Sequence, residues 1–350
     1  MVAEPQVFDV ALGEPSPVGR MQFGSSRELL EMPNLLEIQK KSFEWFKRDG
    51  LRELFEEISP ITDFTGKNLE LRLWVDSDPF GEPKFDEDYC RERDLTFGAA
   101  LNCRAELRNK NSGEIKESQI FMGDFPMMTE HGTFIINGAE RVVVSQLVRS
   151  PGVYFDREFD GATARYLYTA KLIPSRGAWL EFETSNKGML TVKIDRKRKI
   201  PVTTLLRSLS SEYADDEAIY ALFEDVDTDP DHQFIASTIG TTTRRDPSRD
   251  YKDAVIEIYR RLRPGDPATM SNAETTVHGL FFNSRRYDLG RVGRYKLNRR
   301  LRSHGRTERT LDVNDLVAVV RELIRLNRDQ DRPDDIDHLG NRRIRAVGEL

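Results

Sequence analysis

Residues 123–152, GDFPMMTEHGTFIINGAERVVVSQLVRSPG, decide how the rest of the chain is arranged. Residues 133–136 are β-branched or aromatic, as a strand prefers, and the following Asn137-Gly138 readily takes the positive φ angles of a hairpin turn. Residues 141–148 predict a buried return strand, which the breaker pair Pro151-Gly152 ends. We therefore expect an apolar hairpin whose exit presents Arg149, for which an ordinary solvated arginine is the alternative.

The identity of these residues, and not only their pattern, is informative. Residues 123–156 closely resemble the beta subunit of bacterial DNA-dependent RNA polymerase. Five further blocks resemble the same family and follow its order: MPNLLEIQKKSFEWF (32–46), RGAWLEFE (176–183), IDRKRKIPVTTLLRSL (194–209), RYDLGRVGRYKLN (286–298) and DDIDHLGNRRIRAVGEL (334–350). The resemblance spans nearly the whole chain, and it implies that the chain is the N-terminal portion of a subunit several times longer.

Charge is distributed unevenly along the chain. The 53 Lys and Arg and 59 Asp and Glu give a net charge of −6 at pH 7, which does not by itself indicate nucleic-acid binding. Residues 285–309 nevertheless carry ten Lys and Arg against two acids, Asp288 and Glu308, whereas residues 212–231 are acidic. A basic stripe on an acidic chain can be a phosphate-binding surface, and a solvated run of charges, which is commoner in general, is the alternative.

Cysteine usage and hydropathy indicate the compartment. Cys90 and Cys103 lack the spacing of a metal site, so we expect reduced thiols. The N-terminus, MVAEPQVFDV, carries acids and lacks the apolar core of a signal peptide. Apolar runs such as residues 142–144 are far shorter than a membrane span. We therefore expect a cytoplasmic protein that does not enter a membrane.

The patterns predict an α+β fold with two mixed α/β domains after an extended arm at residues 1–26. The first domain, residues 27–148, is predicted to contain an antiparallel sheet and hairpins. The second, residues 149–332, is predicted to place short strands before helices. The resemblance identifies the first domain as the protrusion, completed by residues 333–350, and the second as the lobe.

Periodicity locates the elements of both domains. Strands with alternating apolar residues are predicted at 68–75, 99–108, 114–121, 164–173, 179–183 and 190–194. Helices with an apolar face are predicted at 33–50, 51–58, 203–209, 215–223, 253–262, 272–282 and 313–328. Asp312 is the predicted N-cap of the last helix.

Residues 334–338, DDIDH, place three carboxylates and an imidazole close together. Such a group suits Mg²⁺ or Zn²⁺, but Asp334 and Asp337 also suit helix caps after Pro333, and we predict no metal site. The chain shows no Gly-rich phosphate loop and no nucleophile–His–acid arrangement, so we expect neither catalytic residues nor a cofactor in it. The resemblance implies that the Mg²⁺ of the assembled polymerase is bound by another subunit, beta-prime.

The resemblance also implies a pocket for an unpaired guanine of the non-template strand, formed where the segment of Arg149 meets Ile336, Asp337 and Arg342. The chemistry fits, because the N1–H and N2–H₂ donors of guanine can both bind the Asp337 carboxylate. Arg149 and Arg342 can reach the acceptor edge of the base or nearby phosphates, and Ile336 supplies an apolar wall. A surface basic pair, Arg342-Arg343, is the alternative.

Two further features are candidates for contact with the melted strand. The alternation of residues 179–183 places Trp179 on the face of Glu181, where it can stack on a splayed base; a core anchor is the alternative. A basic loop follows a strand, and the resemblance places it in the DNA channel, where it would contact phosphates. Its predicted binding residues are Asp195, Arg196, Lys197 and Lys199, and a solvated loop is the alternative.

Ile115-Lys116-Glu117 lies on a predicted strand, and the resemblance implies that it is a docking point for accessory factors such as the transcription-repair coupling factor. Strand addition at a sheet edge would use Ile115 as the apolar anchor and the two charged residues for selection. An ordinary edge strand protected by its charges is the alternative.

We therefore expect a non-catalytic part of a DNA-directed RNA polymerase, a nucleotidyltransferase, that forms one wall of the DNA cleft. Its expected partners are the non-template strand, the downstream duplex and the alpha, beta-prime, omega and sigma subunits. The rival interpretations are a protein-interaction scaffold with incidental nucleic-acid contacts and a metal-dependent nuclease built on the acidic cluster.

Overall fold

The computed structural model describes residues 33–63, 66–230, 232–240, 245–303 and 305–350, together with the backbone of two short strands nearer the N-terminus. These strands, β1 (Val7–Phe8) and β2 (Arg20–Met21), pair antiparallel. The rest of the predicted arm lies outside the described residues. The described part combines helices with antiparallel sheets, which confirms the α+β class, while the domain boundaries stay a prediction.

A helical run opens the first unit. Helix α1 (Glu37–Trp45) continues through a π-helical turn, Phe46–Gly50, into α2 (Leu51–Ile58), so the prediction that Gly50 ends the first helix is wrong. Burial begins only at Phe43, whose ring lies 5.5 Å from that of Phe134. The predicted apolar face is therefore exposed in the first turns, at Leu35, Leu36 and Ile38.

A sheet in the order β3-β4-β5-β6 follows, with every neighbouring pair antiparallel. Its strands are β3 (Ile61–Thr62), β4 (Leu69–Trp74), β5 (Gly98–Asn109) and β6 (Ile115–Pro126). Helix α3 (Glu87–Glu92) lies between β4 and β5 in the sequence. The predicted alternation holds in β5, where Ala99, Leu101, Cys103 and Ala105 are buried. Cys90 and Cys103 are free and buried thiols.

Strand β4 reverses the predicted orientation at its start. Leu69 is exposed, whereas Glu70 is buried. The Glu70 carboxylate is tolerated there because Arg72 lies 2.7 Å and Lys110 3.0 Å from its oxygens. A buried carboxylate with two cationic partners avoids the cost of an unpaired charge, which a hydrophobic pattern alone does not reveal.

The central hairpin forms as predicted at its turn, but its return strand is short. Strands β7 (Phe134–Ile136) and β8 (Ala139–Arg141) are joined by Asn137 and Gly138, with φ angles of 50° and 74°. The prediction of a buried strand over 141–148 is wrong, because Val142 and Val144 are exposed and pairing resumes only in β9 (Gln146–Arg149).

The second unit is built on a sheet in the order β10-β11-β12-β13-β14. Its antiparallel strands are β10 (Gly152–Asp160), β11 (Arg165–Ile173), β12 (Leu180–Thr184), β13 (Leu190–Ile194) and β14 (Ile200–Pro201). Strands β11, β12 and β13 confirm their predictions. Strand β10 was not predicted, because only its first half is buried and its second half is a run of charges.

Helices pack over one face of this sheet and share one hydrophobic core with it. They are α4 (Val202–Leu209), α5 (Asp216–Phe223), α6 (Phe234–Ile239), α7 (Tyr251–Leu262), α8 (Met270–Phe281), α9 (Gly290–Leu301) and α10 (Val313–Asp329). Helix α10 carries the predicted Asp312 N-cap in a capping box with Asp315. Helix α9 was not predicted, because its sequence is basic and its apolar residues are few.

Several cations of the basic stripe are structural. The Arg294 guanidinium is buried and donates to both carboxylate oxygens of Asp315 at 3.0 Å. Arg300 pairs with Glu322 at 2.6 Å, and Arg306 pairs with Asp312. Arg294 and Arg300 therefore join α9 to α10, and Arg306 joins the segment after α9 to the N-cap of α10, so these three charges of the stripe are paired within the protein.

The chain returns to the first unit at its end. Strand β15 (Arg342–Arg345) pairs antiparallel with β9, and the register places Arg342 opposite Arg149. No helix in the described residues is both long and apolar enough to cross a membrane.

Candidate nucleic-acid interface

Asp334 fixes the path by which the chain returns. Its backbone N–H donates to Phe155 O and its carboxylate accepts from Phe155 N–H, both at 2.9 Å. Asp334 therefore binds β10 along the edge opposite β11. Arg300 Nε donates to the same carboxylate at 2.9 Å. The helix-cap hypothesis for Asp334 is therefore wrong, because its oxygens bind a strand and an arginine.

A tight turn over residues 335–341 follows and leaves one acid open to solvent. Asp335 Oδ1 accepts from the backbone N–H groups of Asp337 and His338 at 3.1 and 3.2 Å, and Asn341 Nδ2 donates to Asp335 O. The cap hypothesis for Asp337 is wrong as well, since the N-cap of the short helical turn Leu339–Asn341 is His338, whose Nδ1 accepts from Gly340 N–H at 3.0 Å. The Asp337 side chain is 91% exposed.

The β9–β15 pairing brings the predicted guanine-pocket residues into one neighbourhood. Arg342 Nη1 lies 3.7 Å from Asp337 Oδ1, and Arg149 is the cross-strand partner of Arg342. Ile336 is half-buried in the same turn. An exposed ion pair at this distance contributes only about 0–1 kcal/mol, so the donors of a ligand can compete for the carboxylate.

A buried tyrosine lies beneath the arginine of β9. The guanidinium carbon of Arg149 is 5.8 Å from the centroid of the Tyr154 ring, and Tyr154 Oη donates to Ser150 O at 2.7 Å. Burial raises the pKa of Tyr154, and the nearby positive charge of Arg149 opposes that rise. The uncharged Tyr154 ring therefore packs against Arg149 without occupying the N–H groups of the guanidinium, which can still donate hydrogen bonds to another group.

Trp179 stands next to the basic loop. Its ring is half-buried, between the two predicted alternatives, and the guanidinium carbon of Arg196 lies 5.5 Å from the ring centroid. Asp195 N–H donates to Trp179 O at 2.8 Å, and Lys197 N–H closes the turn on Ile194 O at 2.9 Å. The loop therefore holds a cation over one part of the indole.

The loop's charges are not equally available. Asp195, Arg196, Lys197, Arg198 and Lys199 are all exposed, but Lys199 Nζ lies 2.5 Å from a carboxylate oxygen of Glu183. Burial disfavours ionised Glu183, yet its hydrogen bonds with Lys193 and Lys199 outweigh burial and lower the pKa of the carboxyl. The charge of Lys199 is therefore paired with that of Glu183, unlike the charge of Arg196, which lies over the Trp179 ring.

Ile115, Lys116 and Glu117 begin strand β6, which is the outer strand of its sheet. They lie opposite Arg108, Leu107 and Glu106 of β5, and the Ile115 side chain is half exposed. The other edge of this strand faces away from β5 and presents backbone groups suited to strand addition.

Within the part of the chain that the structure describes, no cluster of three or more His, Cys, Asp or Glu side chains is arranged to hold a metal ion. Two residues near the Arg149–Arg342 pair were missed from the sequence. Tyr154 and Lys296 lie in blocks that resemble the polymerase family, but neither belongs to a charge run or motif that singles it out.

Residues 149–345 match the model of the family described as RNA polymerase Rpb2, domain 2. The chain belongs to this family. Among curated relatives of this Rpb2-family chain, the DNA-directed RNA polymerase subunit beta of Chloroflexus aggregans is 53% identical over 361 residues. The subunit of the same name from Dehalococcoides mccartyi is 52% identical over 336 residues. Each match covers 95% of the chain, which spans only 29% and 26% of these relatives.

Replacing Trp179 in this Rpb2-family chain tests whether the indole contacts DNA. We expect Trp179→Ala to weaken complexes of the assembled polymerase with melted DNA by about 1–3 kcal/mol, the value of one stacked base. Trp179→Phe, which keeps an aromatic face, is the matched control and retains most of the lifetime. The measurements are complex lifetime and thermal melting of the chain. A large fall in melting temperature with an unchanged lifetime would show that Trp179 is a core anchor.

Proposed function

We propose that the chain is a non-catalytic part of the beta subunit of a DNA-directed RNA polymerase, in which it forms one wall of the DNA cleft and binds the non-template strand. The observation that carries this proposal is the pairing of β9 with β15, which sets Arg149 opposite Arg342 beside the exposed Asp337. The family match and the relatives' printed names support the same assignment.

The pocket's chemistry selects an unpaired guanine. The Asp337 carboxylate accepts from both Watson–Crick-edge donors of guanine, which adenine, cytosine and thymine do not present together. Arg342, which lies 3.7 Å from Asp337, then turns toward the acceptor edge or a phosphate. Charge-assisted hydrogen bonds of this kind are stronger than neutral ones, so one acid can decide base preference while the arginines supply affinity.

The second unit supplies the rest of the surface. It corresponds to the lobe, and the first unit with its returning strand corresponds to the protrusion. Trp179 stacks on a base of the melted strand, while Arg196 and Lys197 at the exposed loop tip bind phosphates of that strand or of the downstream duplex. Phosphate contacts position DNA without reading its sequence, which leaves base selection to the guanine pocket.

Catalysis belongs elsewhere in the enzyme that we propose. The templated nucleotidyl transfer uses Mg²⁺ bound by the beta-prime subunit, and the alpha, omega and sigma subunits complete the cytoplasmic assembly. The chain's own residues bind and orient DNA strands.

The outer edge of β6 provides a second function, docking of an accessory protein. Ile115 offers exposed apolar surface, and Lys116 and Glu117 place opposite charges next to it, on an edge that pairs with no other strand of the described residues. A factor such as the transcription-repair coupling factor adds its own strand here, with main-chain hydrogen bonds giving affinity and the two charges giving selection.

The base preference of the pocket provides the test of the main proposal. We expect Asp337→Ala in the assembled polymerase to weaken complexes that carry guanine at the captured non-template position by about 1–3 kcal/mol, the value of one bidentate base contact. Complexes with other bases change little, because Asp337 has no donor pair to bind. Lifetimes are compared at one salt concentration on templates that differ only at this base, since phosphate contacts depend on salt.

Arg342→Ala is the companion variant and weakens all templates more evenly, because phosphate contacts do not discriminate between bases. A guanine preference that survives Asp337→Ala at full size would contradict the pocket assignment.

Docking is tested separately with Ile115→Ala combined with Glu117→Lys. We expect binding of the coupling factor's polymerase-binding domain to be lost, because the change removes the apolar anchor and reverses a selecting charge. Glu82→Lys, which reverses an exposed charge outside β6, is the control and keeps binding. Equal affinity of the double variant and the parent chain, measured by calorimetry, would rule out this edge as the docking point.

A further inference from the structure

Lys296 reaches from α9 to the residues that immediately precede Arg342. Its ammonium donates to Gly340 O at 2.7 Å and to Asn341 Oδ1 at 3.1 Å. A third acceptor, Tyr154 Oη, lies 3.4 Å away. The three acceptors are neutral, so these contacts are charge–dipole hydrogen bonds and not an ion pair. We call Lys296 with these three hydrogen bonds the clamp.

The clamp closes a small network around the Arg149–Arg342 pair. Tyr154 Oη donates to Ser150 O at 2.7 Å, and Ser150 N–H donates to Asn341 O at 2.9 Å. Lys296 thus holds the returning segment at Gly340 and Asn341, while Tyr154 holds the β9 side next to Arg149. Both strands that present an arginine are fixed one or two residues from it.

The position of Lys296 separates its role from that of its neighbours on α9. Arg294 and Arg300 bind carboxylates, those of Asp315, Glu322 and Asp334, whereas the hydrogen-bond acceptors of Lys296 among the described residues are main-chain, amide and phenol oxygens. Burial lowers the pKa of Lys296, yet no carboxylate hydrogen bond compensates for it. Partial burial of the Lys296 ammonium is unfavourable, and its hydrogen bonds to Gly340 and Asn341 offset that cost while they fix the position of the turn.

We propose that Lys296 is a positioning residue for the guanine pocket, which holds Gly340 and Asn341 so that Arg342 and Asp337 keep a fixed placement relative to Arg149. This inference rests on the proposed function of the pocket. Gly340 is exposed and Asn341 half-buried, so water can replace the lysine as a donor. Loss of Lys296 therefore loosens the pocket much more than it destabilises the fold.

The test uses the assembled polymerase with Lys296→Met, which keeps the length of the side chain and removes its charge and donors. We expect the ratio of complex lifetimes, guanine template over other templates, to fall roughly two- to tenfold, the loss that one hydrogen bond of ordinary net strength would give. Arg299→Met is the matched control, since it removes one exposed positive charge from the same helix. It should shorten all lifetimes equally, if at all.

A double variant separates positioning from general weakening. Because Lys296 acts through the pocket, Lys296→Met should lower the guanine ratio no further once Asp337 is alanine. Amide hydrogen exchange adds a readout independent of DNA, and we expect faster exchange at residues 338–345 with α9 unchanged.

The outcomes distinguish this inference from the function it rests on. If Asp337→Ala leaves the guanine ratio unchanged, the pocket itself is wrong. If Asp337→Ala abolishes the ratio while Lys296→Met leaves both the ratio and the exchange of residues 338–345 as in the parent, the positioning role alone is overturned. Equal effects of Lys296→Met and Arg299→Met on the ratio would also overturn it.

Discussion

The antiparallel pairing of β9 with β15 is the constraint on which the arrangement of the site depends. Directly opposed residues in such a ladder point to the same face, and a slip of one residue would turn every side chain of β15 to the other face. The register that sets Arg342 opposite Arg149 therefore decides whether the two arginines share a site. Asp334 helps to fix this register, because its hydrogen bonds to Phe155 limit where the returning chain can lie before β15 begins.

Positive charge has two distinct uses in the chain. Arg294 is buried with Asp315, and removing one partner of such a pair costs about 3–5 kcal/mol, so these charges are committed to the fold. Arg149, Arg196 and Lys197 are at least partly exposed, with Arg149 over the ring of Tyr154 and Arg196 over that of Trp179. The net charge of −6 therefore does not describe the local charge at these positions.

Local patterns predicted the elements whose causes are local. Strand β13 and helix α10 with its Asp312 cap follow from alternation, helical periodicity and capping chemistry, all readable within a few residues. Helix α9 was missed because its stability comes from Arg294 and Arg300 reaching α10, which is a tertiary cause. Asp337 was singled out only through the family resemblance, whereas the contacts of Lys296 with Gly340 and Asn341 were missed because they depend on how distant segments meet.

The most direct test of the central claim is a photocrosslink from 6-thioguanine placed at the captured non-template position in a complex of the assembled polymerase. Because the pocket is formed by two strands that are distant in sequence, we predict crosslinked peptides from both the segment of β9 and the segment of residues 335–345. Substituting thio-bases that lack the guanine donor pair should lower the yield at both. Crosslinks that map wholly outside these two segments would contradict the account.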